Sequence, residues 1–271
     1  MRRVLVAVIA LALGSVSAIA QTVPSAQGPD PAKASLVEFF PRFDFNVSLE
    51  HLVSEEIRYV WDANYGGDMD LVAVGRSRVT FVANYQAILG SEFRAFDPNQ
   101  GNYTLEGAVS TRVGAMEVAG VFHHVSRHLS DRPKRFPVDW NMVGGRVSGA
   151  RHRGRVDYTA RADVRGVVQH TFVDYRWELD AEASARLAVR SRVAVMATGA
   201  WRILAVDASR GRETQRGYRG EGGVRLAVRD ATLDLFVAFE QRIDPYQLEL
   251  STVRWATTGF RISSPRSSRV P

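Results

Sequence analysis

Apolar and polar residues alternate along most of the chain after about residue 58. Between Val156 and Arg165 every second residue is apolar or aromatic, and the residues between them are polar or charged. The same alternation continues through Trp177 to Val189 and through Ala231 to Glu240. A period of two is typical of β-strands that present one face to an apolar environment and the other to water.

The length of these alternating stretches separates two all-β architectures. Strands of soluble sandwiches run mostly about five or six residues, whereas strands that cross a bilayer in a barrel need about nine to eleven. Several stretches here keep the pattern for that longer span, and their polar faces carry charges of both signs, as a barrel lumen does. We therefore predict an antiparallel transmembrane β-barrel of about twelve strands, in preference to a soluble sandwich.

Turn-forming residues divide the alternating stretches into two kinds of connection. Tight turns are predicted at Gly75-Arg76-Ser77, Gly114-Ala115, His152-Arg153-Gly154, Arg190-Ser191 and Arg229-Asp230. Longer loops are predicted at Phe96 to Asn102, Leu129 to Asp139, Val173 to Tyr175, Asp207 to Arg216 and Asp244 to Leu248, and Asp97 to Asn102 reads as a turn cluster. Aromatic residues near strand ends are predicted to form interfacial girdles: Tyr103, Tyr158, Tyr175, Trp177, Tyr218 and Trp255.

The start of the chain has the pattern of an export signal. Arg2 and Arg3 precede a short apolar run, and Ala18-Ile19-Ala20 forms a small-residue cleavage site. The predicted organisation is a signal peptide at 1–20, a flexible leader at 21–40, the barrel at 41–263 and a disordered tail at 264–271. Residues 35–55 are irregular, so an extra strand, a helix and a plug all remain open for them. An exported barrel is expected in the outer membrane.

Composition narrows the chemistry that the chain can perform. Cysteine is absent, which excludes disulfides, thiolate metal sites and a cysteine nucleophile. The net charge of +6 falls to +4 without residues 1–20, and its spread along the chain gives no reason to expect a nucleic-acid partner. Expected partners are outer-membrane lipid and lipopolysaccharide, whose phosphates match the arginines of Arg210 to Arg219. A solvated loop is the plainer interpretation of that segment.

One segment concentrates chemically active side chains. Three of the six histidines lie between His123 and His128, with Ser126 among them, and a predicted loop follows. If Glu117 and Arg127 face the lumen, then alternation places His124 and Ser126 on the outer surface. On the next strand Arg146 and Ser148 mark the lumen, so Asn141 also faces outward. Polar groups on a lipid-facing surface are unusual enough to suggest a function.

The string His124-Val125-Ser126, followed by Ser130-Asp131 and Trp140-Asn141, resembles the active-site region of the outer-membrane phospholipase A family. The resemblance implies a twelve-stranded barrel with Ser126 as nucleophile, His124 as general base and Asn141 as the residue that orients it. It also implies calcium as cofactor and a dimer. Lipid A deacylase barrels carry a similar His-x-Ser pair with a Glu as third member, and Asp131 is an alternative third member here.

This sequence departs from the phospholipase pattern in two ways. Arg127-His128 follows the serine where the family has Asn-Gly, and Asn141 lies a few residues farther along. The string His-x-Ser-x-His-Leu-x-Asp also resembles uncharacterised bacterial envelope proteins, which implies a location and no activity.

Three interpretations of the segment follow. The plainest is a strand end that hydrogen-bonds into the loop, the second is catalytic, and the third is a metal site of His124, His128 and Asp131. Histidines four positions apart on a strand lie about 13 Å apart, which disfavours a shared ion. The leading functional prediction is a barrel with a structural, channel or interaction role. The alternative is a calcium-dependent lipid-acting serine hydrolase.

Overall fold

The computed structural model describes residues 37–130, 136–246 and 248–264. They form one closed barrel of twelve antiparallel strands, in which each strand pairs with its neighbours in sequence and β1 closes against β12. The strands are β1 (Val37–Val53), β2 (Trp61–Val74), β3 (Ser77–Gly90), β4 (Asp97–Val113), β5 (Met116–Leu129), β6 (Val138–Arg153), β7 (Val156–Thr171), β8 (Tyr175–Arg190), β9 (Val193–Val206), β10 (Gln215–Ala227), β11 (Thr232–Ile243) and β12 (Thr252–Ser263). The predicted fold class is confirmed.

The barrel wall includes the segment that the sequence left open. Residues 37–53 form β1, which starts four residues before the predicted boundary and pairs with both β2 and β12. The last strand ends at Ser263. The predicted signal peptide, most of the leader and residues 265–271 of the tail lie outside the described residues. Within the described part of the chain, no helix is long and apolar enough to cross a membrane.

Short turns lie at one end of the barrel and longer connections at the other. Gly75, Gly114 and Gly154 occupy short turns with positive φ, a conformation that glycine adopts without a steric penalty. Short turns face the periplasm in outer-membrane barrels and longer loops face outward, so we call the long-loop end the extracellular end. The prediction that Asp97 to Asn102 is a turn was wrong. These residues open β4, because cross-strand pairing with β3 outweighs their turn propensity.

The outer surface of the wall is apolar. Valine, leucine and phenylalanine side chains are 40–63% exposed there, including Val109, Val164, Val237 and Phe239. Such a belt is stable in lipid and not in water. Tyr103, Tyr158 and Trp177 also face outward, but Tyr175 and Trp255 are buried and do not belong to a girdle.

Ion pairs fill the middle of the lumen. Arg219 of β10 reaches Glu50 of β1 at 2.9 Å, and Arg242 of β11 reaches Asp62 of β2 at 2.7 Å. On the other side, Arg146 of β6 contacts Glu106 of β4 at 2.7 Å. Each pair joins strands that lie two or three positions apart around the barrel, so the charged side chains extend from the wall into the lumen.

Apolar side chains occupy the lumen nearer its extracellular end. One cluster includes Val125, Val138, Trp140, Met142 and Tyr175, and a second consists of Leu52, Tyr59, Ile88 and Trp255. On the extracellular side of these clusters, ion pairs and a hydrogen bond connect the loops between strands. Arg212 forms ion pairs with Asp174 at 2.6 Å and with Asp244 at 2.9 Å, and the Tyr175 hydroxyl donates to Asp244 at 2.7 Å.

Candidate active site on the outer surface

Strand pairing brings the predicted site residues together on the outer face. His124 lies directly opposite Asn141 in the pairing of β5 with β6, and Ser126 lies opposite Asp139. His123, which precedes His124, points into the lumen. It is 1% exposed, and its Nδ1 lies 3.0 Å from Glu106 Oε2. The alternation of β5 therefore separates a lumenal histidine from an outward pair of histidine and serine.

A chain of hydrogen bonds runs from His124 across β6 and β7. His124 Nδ1 lies 2.7 Å from Asn141 Oδ1, and Asn141 Nδ2 donates to Gln169 Oε1. Gln169 Nε2 donates in turn to Asp139 Oδ1 at 3.3 Å, and the Thr171 hydroxyl donates to Asp139 Oδ2 at 2.7 Å. Each link joins residues of adjacent strands, so the barrel register holds the chain in place.

The carboxylate of Asp139 fixes the direction of this chain. An ionised carboxylate only accepts hydrogen bonds, so Gln169 must present its amide nitrogen to Asp139 and its oxygen to Asn141. Asn141 must then present its oxygen to His124, which makes Nδ1 the donor. Neutral imidazole carries one proton, so Nε2 of His124 keeps a free lone pair. A histidine in this tautomer can accept a proton at Nε2.

Ser126 has a histidine on each side along the same face of β5. Its Oγ lies 2.9 Å from Nε2 of His128 and is not hydrogen-bonded to His124. Residues two positions apart on a strand are about 7 Å apart, so His124 and His128 are spaced equally from Ser126. The serine side chain can turn from one to the other by rotation about χ1.

A row of tyrosines marks the depth of this site. Tyr85 of β3 lies opposite Tyr65 of β2 on one side and opposite Tyr103 of β4 on the other. Tyr103 in turn lies opposite Ser126, which is the next residue in the row. The rings of Tyr85 and Tyr103 are 4.9 Å apart, and Tyr103 meets His128 edge-on at 5.4 Å. Outward tyrosines of membrane proteins concentrate at the lipid–water interface. The row therefore places Ser126 beside an outward tyrosine of the kind found at that interface.

Apolar side chains lie immediately below the polar chain, toward the bilayer centre. Leu105 is opposite His124, and Phe122 and Val143 are each one outward position farther along β5 and β6. They are 40%, 47% and 47% exposed. An acyl chain can contact these side chains while its ester group lies beside Ser126.

Comparisons with known proteins identify the architecture. No protein-family model matches the chain, and no curated protein is significantly similar to it. Among solved structures, an outer membrane channel from Pseudomonas putida F1 has a TM-score of 0.52 at 10% identity, covering 87% of this chain and 99% of that one. Outer membrane phospholipase A from Escherichia coli has a TM-score of 0.52 at 10% identity, covering 84% and 98%.

The fold is that of outer-membrane β-barrels. At this level of identity the likeness shows the fold alone, and it is shared by a channel and a phospholipase. A third similar structure is the Salmonella typhi outer membrane phospholipase dimer with bound calcium, with a TM-score of 0.52 at 9% identity, covering 83% of this chain and 91% of that one.

The described residues offer no cluster of side chains suited to calcium. They contain no group of three His, Asp or Glu side chains that could hold a metal ion. Asp139, the carboxylate opposite Ser126, is engaged by Gln169 and Thr171. Asp131, the alternative third member and a ligand in the metal interpretation, lies outside the described residues.

Sequence reasoning missed three participants. Asp139 and Gln169 complete the chain that starts at Asn141, and His128 is the residue that contacts Ser126. Alternation also placed His128 on the outer face, as the next outward position after Ser126. Gln169 was not visible, because a register shift between Asn141 and Met142 determines which residue of β7 lies opposite Asn141.

Proposed function

We propose that this protein is an outer-membrane serine hydrolase that cleaves ester-linked acyl chains of lipids in the outer leaflet. The observation that carries the proposal is the arrangement on the outer face. A serine lies beside a histidine whose tautomer is set by Asn141, at the depth marked by the tyrosine row. A serine hydroxyl becomes a useful nucleophile only beside a base that a third group orients.

His124 is the general base of this proposal, because the hydrogen-bond chain leaves its Nε2 free to accept a proton. Ser126 turns from His128 toward His124 and attacks the ester carbonyl carbon, and its proton passes to Nε2. The tetrahedral intermediate collapses, the C–O bond to the lipid alcohol breaks, and that alcohol takes the proton from Nε2. Water then attacks the acyl-serine, with His124 again as base, and releases the fatty acid.

Three predictions from sequence accompany the proposal. The predicted export signal implies that residues 1–20 are removed, so the mature chain should begin at Gln21. Intact-mass measurement of protein from isolated outer membranes checks this. The resemblance to the phospholipases also implies calcium and a dimer. Calcium is tested in the assay below, and the dimer by chemical cross-linking in membranes.

The experiment is an assay of fatty-acid release by full-length protein folded in detergent, with phospholipid and with lipid A as substrates. Calcium and a chelator are compared. Ser126→Ala and His124→Ala should each lower the rate at least about a thousandfold, since removing any triad member leaves only residual catalysis. Ser251→Ala, which changes an exposed serine in the connection between β11 and β12, is the matched control and should keep the wild-type rate.

Two outcomes would change the proposal. If wild-type protein that is shown to be folded releases no fatty acid under either condition, the hydrolase is wrong and a structural barrel replaces it. If His128→Ala abolishes release while His124→Ala does not, the serine hydrolase stands but its base is His128. The second measurement separates the two histidines that flank Ser126.

A structural role without catalysis is the second candidate. The observation that favours it over a channel is the filled lumen, where Arg165, Asp234 and Glu240 are 0% exposed. Ion pairs with nearby strands surround these groups, so solvent does not reach them. The channel role is therefore the weakest of the functions predicted from the sequence.

A further inference from the structure

Two arginines near the extracellular end differ from the arginines of the lumen. Arg216 of β10 and Arg254 of β12 are exposed on the outer surface. Lumenal positions on their strands are the buried Arg219 and Glu221 of β10 and Trp255 of β12, so alternation turns Arg216 and Arg254 outward. Within the residues that the structure describes, neither arginine has a carboxylate at ion-pair distance.

Neighbouring side chains hold Arg254 in position. Gln241 of β11 lies between the two arginines and donates through Nε2 to the Arg216 carbonyl oxygen at 2.7 Å. Arg254 donates through Nε to Gln241 Oε1, also at 2.7 Å, and its guanidinium lies 5.9 Å from the centre of the Tyr218 ring. This arrangement uses Nε of Arg254 and leaves its two η nitrogens for another acceptor.

The two arginines line a groove of about 1150 Å³ at the extracellular end of β9 to β12. Arg212 also lines it, but its guanidinium is committed to Asp174 and Asp244. Although burial opposes its charge, the hydrogen bonds that its guanidinium donates to these two carboxylates raise the pKa of Arg212 above its ordinary value. Glu213 is the one acidic residue of the lining. The charge available to a ligand is therefore that of Arg216 and Arg254.

We propose that this groove, lined by Arg216, Gln241 and Arg254, binds a phosphate group of lipid A in the outer leaflet. Guanidinium groups match phosphate oxygens through paired hydrogen bonds. Tyr218 lies at the same level as Arg254 and marks the interface. Below it, Phe239 and Val237 are 50% and 62% exposed and offer a surface for acyl chains.

The phosphate site is separate from the candidate active site. β11 lies six strands from β5 around the closed barrel, so the two sites occupy opposite walls. No residue of the groove belongs to the hydrogen-bond chain of His124. Binding at the groove therefore requires no hydrolysis at Ser126, and a failed hydrolase assay leaves this proposal intact.

The test measures binding of bisphosphorylated lipid A to the full chain in neutral detergent micelles. The same binding measurement is made with dephosphorylated lipid A, phosphatidylglycerol and inorganic phosphate for comparison. The double variant Arg216→Gln with Arg254→Gln should weaken binding of bisphosphorylated lipid A at least about tenfold and reduce its dependence on salt. Arg229→Gln makes the same type of charge change in a short periplasmic turn and should leave binding unchanged.

Each result bears on the proposal. Selective loss of bisphosphorylated lipid A binding in the double variant supports it. Equal binding of the dephosphorylated lipid, equal binding by the double variant, or comparable affinity for phosphatidylglycerol or inorganic phosphate would overturn it. Arg254→Lys keeps the charge and the fold but loses the paired donors, so it should weaken binding several-fold. If the double variant unfolds, this single variant still decides the question.

Discussion

Gln169 influences the tautomer of His124 without contacting it. It contacts neither Ser126 nor His124, but it joins Asn141 to Asp139. Without this link, the Asn141 amide can rotate and offer its nitrogen to Nδ1 of His124. The imidazole would then place its proton on Nε2, where the base must be free. Gln169 is therefore a positioning residue of the proposed reaction.

Gln169→Ala should lower kcat about tenfold and leave KM nearly unchanged. One hydrogen bond contributes about 0.5 to 1.5 kcal/mol, and about 1.4 kcal/mol corresponds to a factor of ten in rate. Steady-state kinetics with a soluble ester substrate measure the split between the two constants. Val168→Ala alters the exposed neighbour of Gln169 and is the control.

A merely structural role of Gln169 makes a different prediction. It would lower the temperature at which the folded, fast-migrating form is lost on electrophoresis, and it would change kcat and KM together. If kcat of Gln169→Ala equals that of the wild type, the hydrogen-bond chain does not set the tautomer of His124.

At the site, sequence reasoning reached the residues whose direction follows from alternation alone. His124, Ser126 and Asn141 were expected on the outer face, and the structure places them there. What alternation cannot supply is register across three strands. Asp139 lies opposite Ser126 because of the register between β5 and β6, and Gln169 lies opposite Asn141 because of the register shift between β6 and β7. The hydrogen bond between Ser126 and His128 depends on side-chain rotamers, which the sequence pattern does not predict.

At the scale of elements, strand existence was predictable and strand boundaries were less so. Alternation over ten or more residues indicates a strand with lipid on one side and the polar lumen on the other. These two surroundings are the same along the whole strand, so the pattern is strong. Asn, Gly and Pro favour turns locally, yet Pro98 and Gly101 lie in β4 because they pair with β3. In β1, a register shift between Phe39 and Arg42 breaks the period, so its pattern did not identify a strand.

Gly144 shows how closely neighbouring strands approach on the lumenal side of the wall. A Cβ at this position of β6 would lie 2.0 Å from the Val164 carbonyl oxygen and 2.7 Å from Arg165 Cα. Both are backbone atoms of β7, so they cannot move aside as a flexible side chain would. An added methyl group must therefore displace one strand against the other.

Gly144→Ala should destabilise the barrel by about 1 to 3 kcal/mol, the usual cost of overpacking. Gly120→Ala is the matched control, because Gly120 faces outward on β5 with nothing within 4 Å of its Cβ position. Urea unfolding in lipid vesicles measures both variants. Equal stability of the two would contradict the close approach of β6 and β7.

The whole molecule combines an apolar exterior with a lumen that its own side chains occupy. Ion pairs cross the middle of the interior, and two apolar clusters lie nearer the extracellular end. Lipid outside the barrel can therefore contact only the side chains of the outer wall. The candidate active site and the phosphate groove lie on opposite walls of that surface, where lipid reaches both.

A barrel built in this way should not conduct ions. Arg219 bridges Glu50, Glu221 and Glu240, and Arg261 and Arg242 extend this network at Glu221 and Glu240. A solvated ion would therefore have to separate a connected set of buried ion pairs. Full-length protein in planar bilayers should give no steady single-channel steps at modest voltage, while heat-modifiable migration of the same sample shows that it is folded. Steps that scale with the amount of folded protein and vanish after heat denaturation would show an open path through the lumen. Such a result would restore the channel function and leave the outer wall without a role in it.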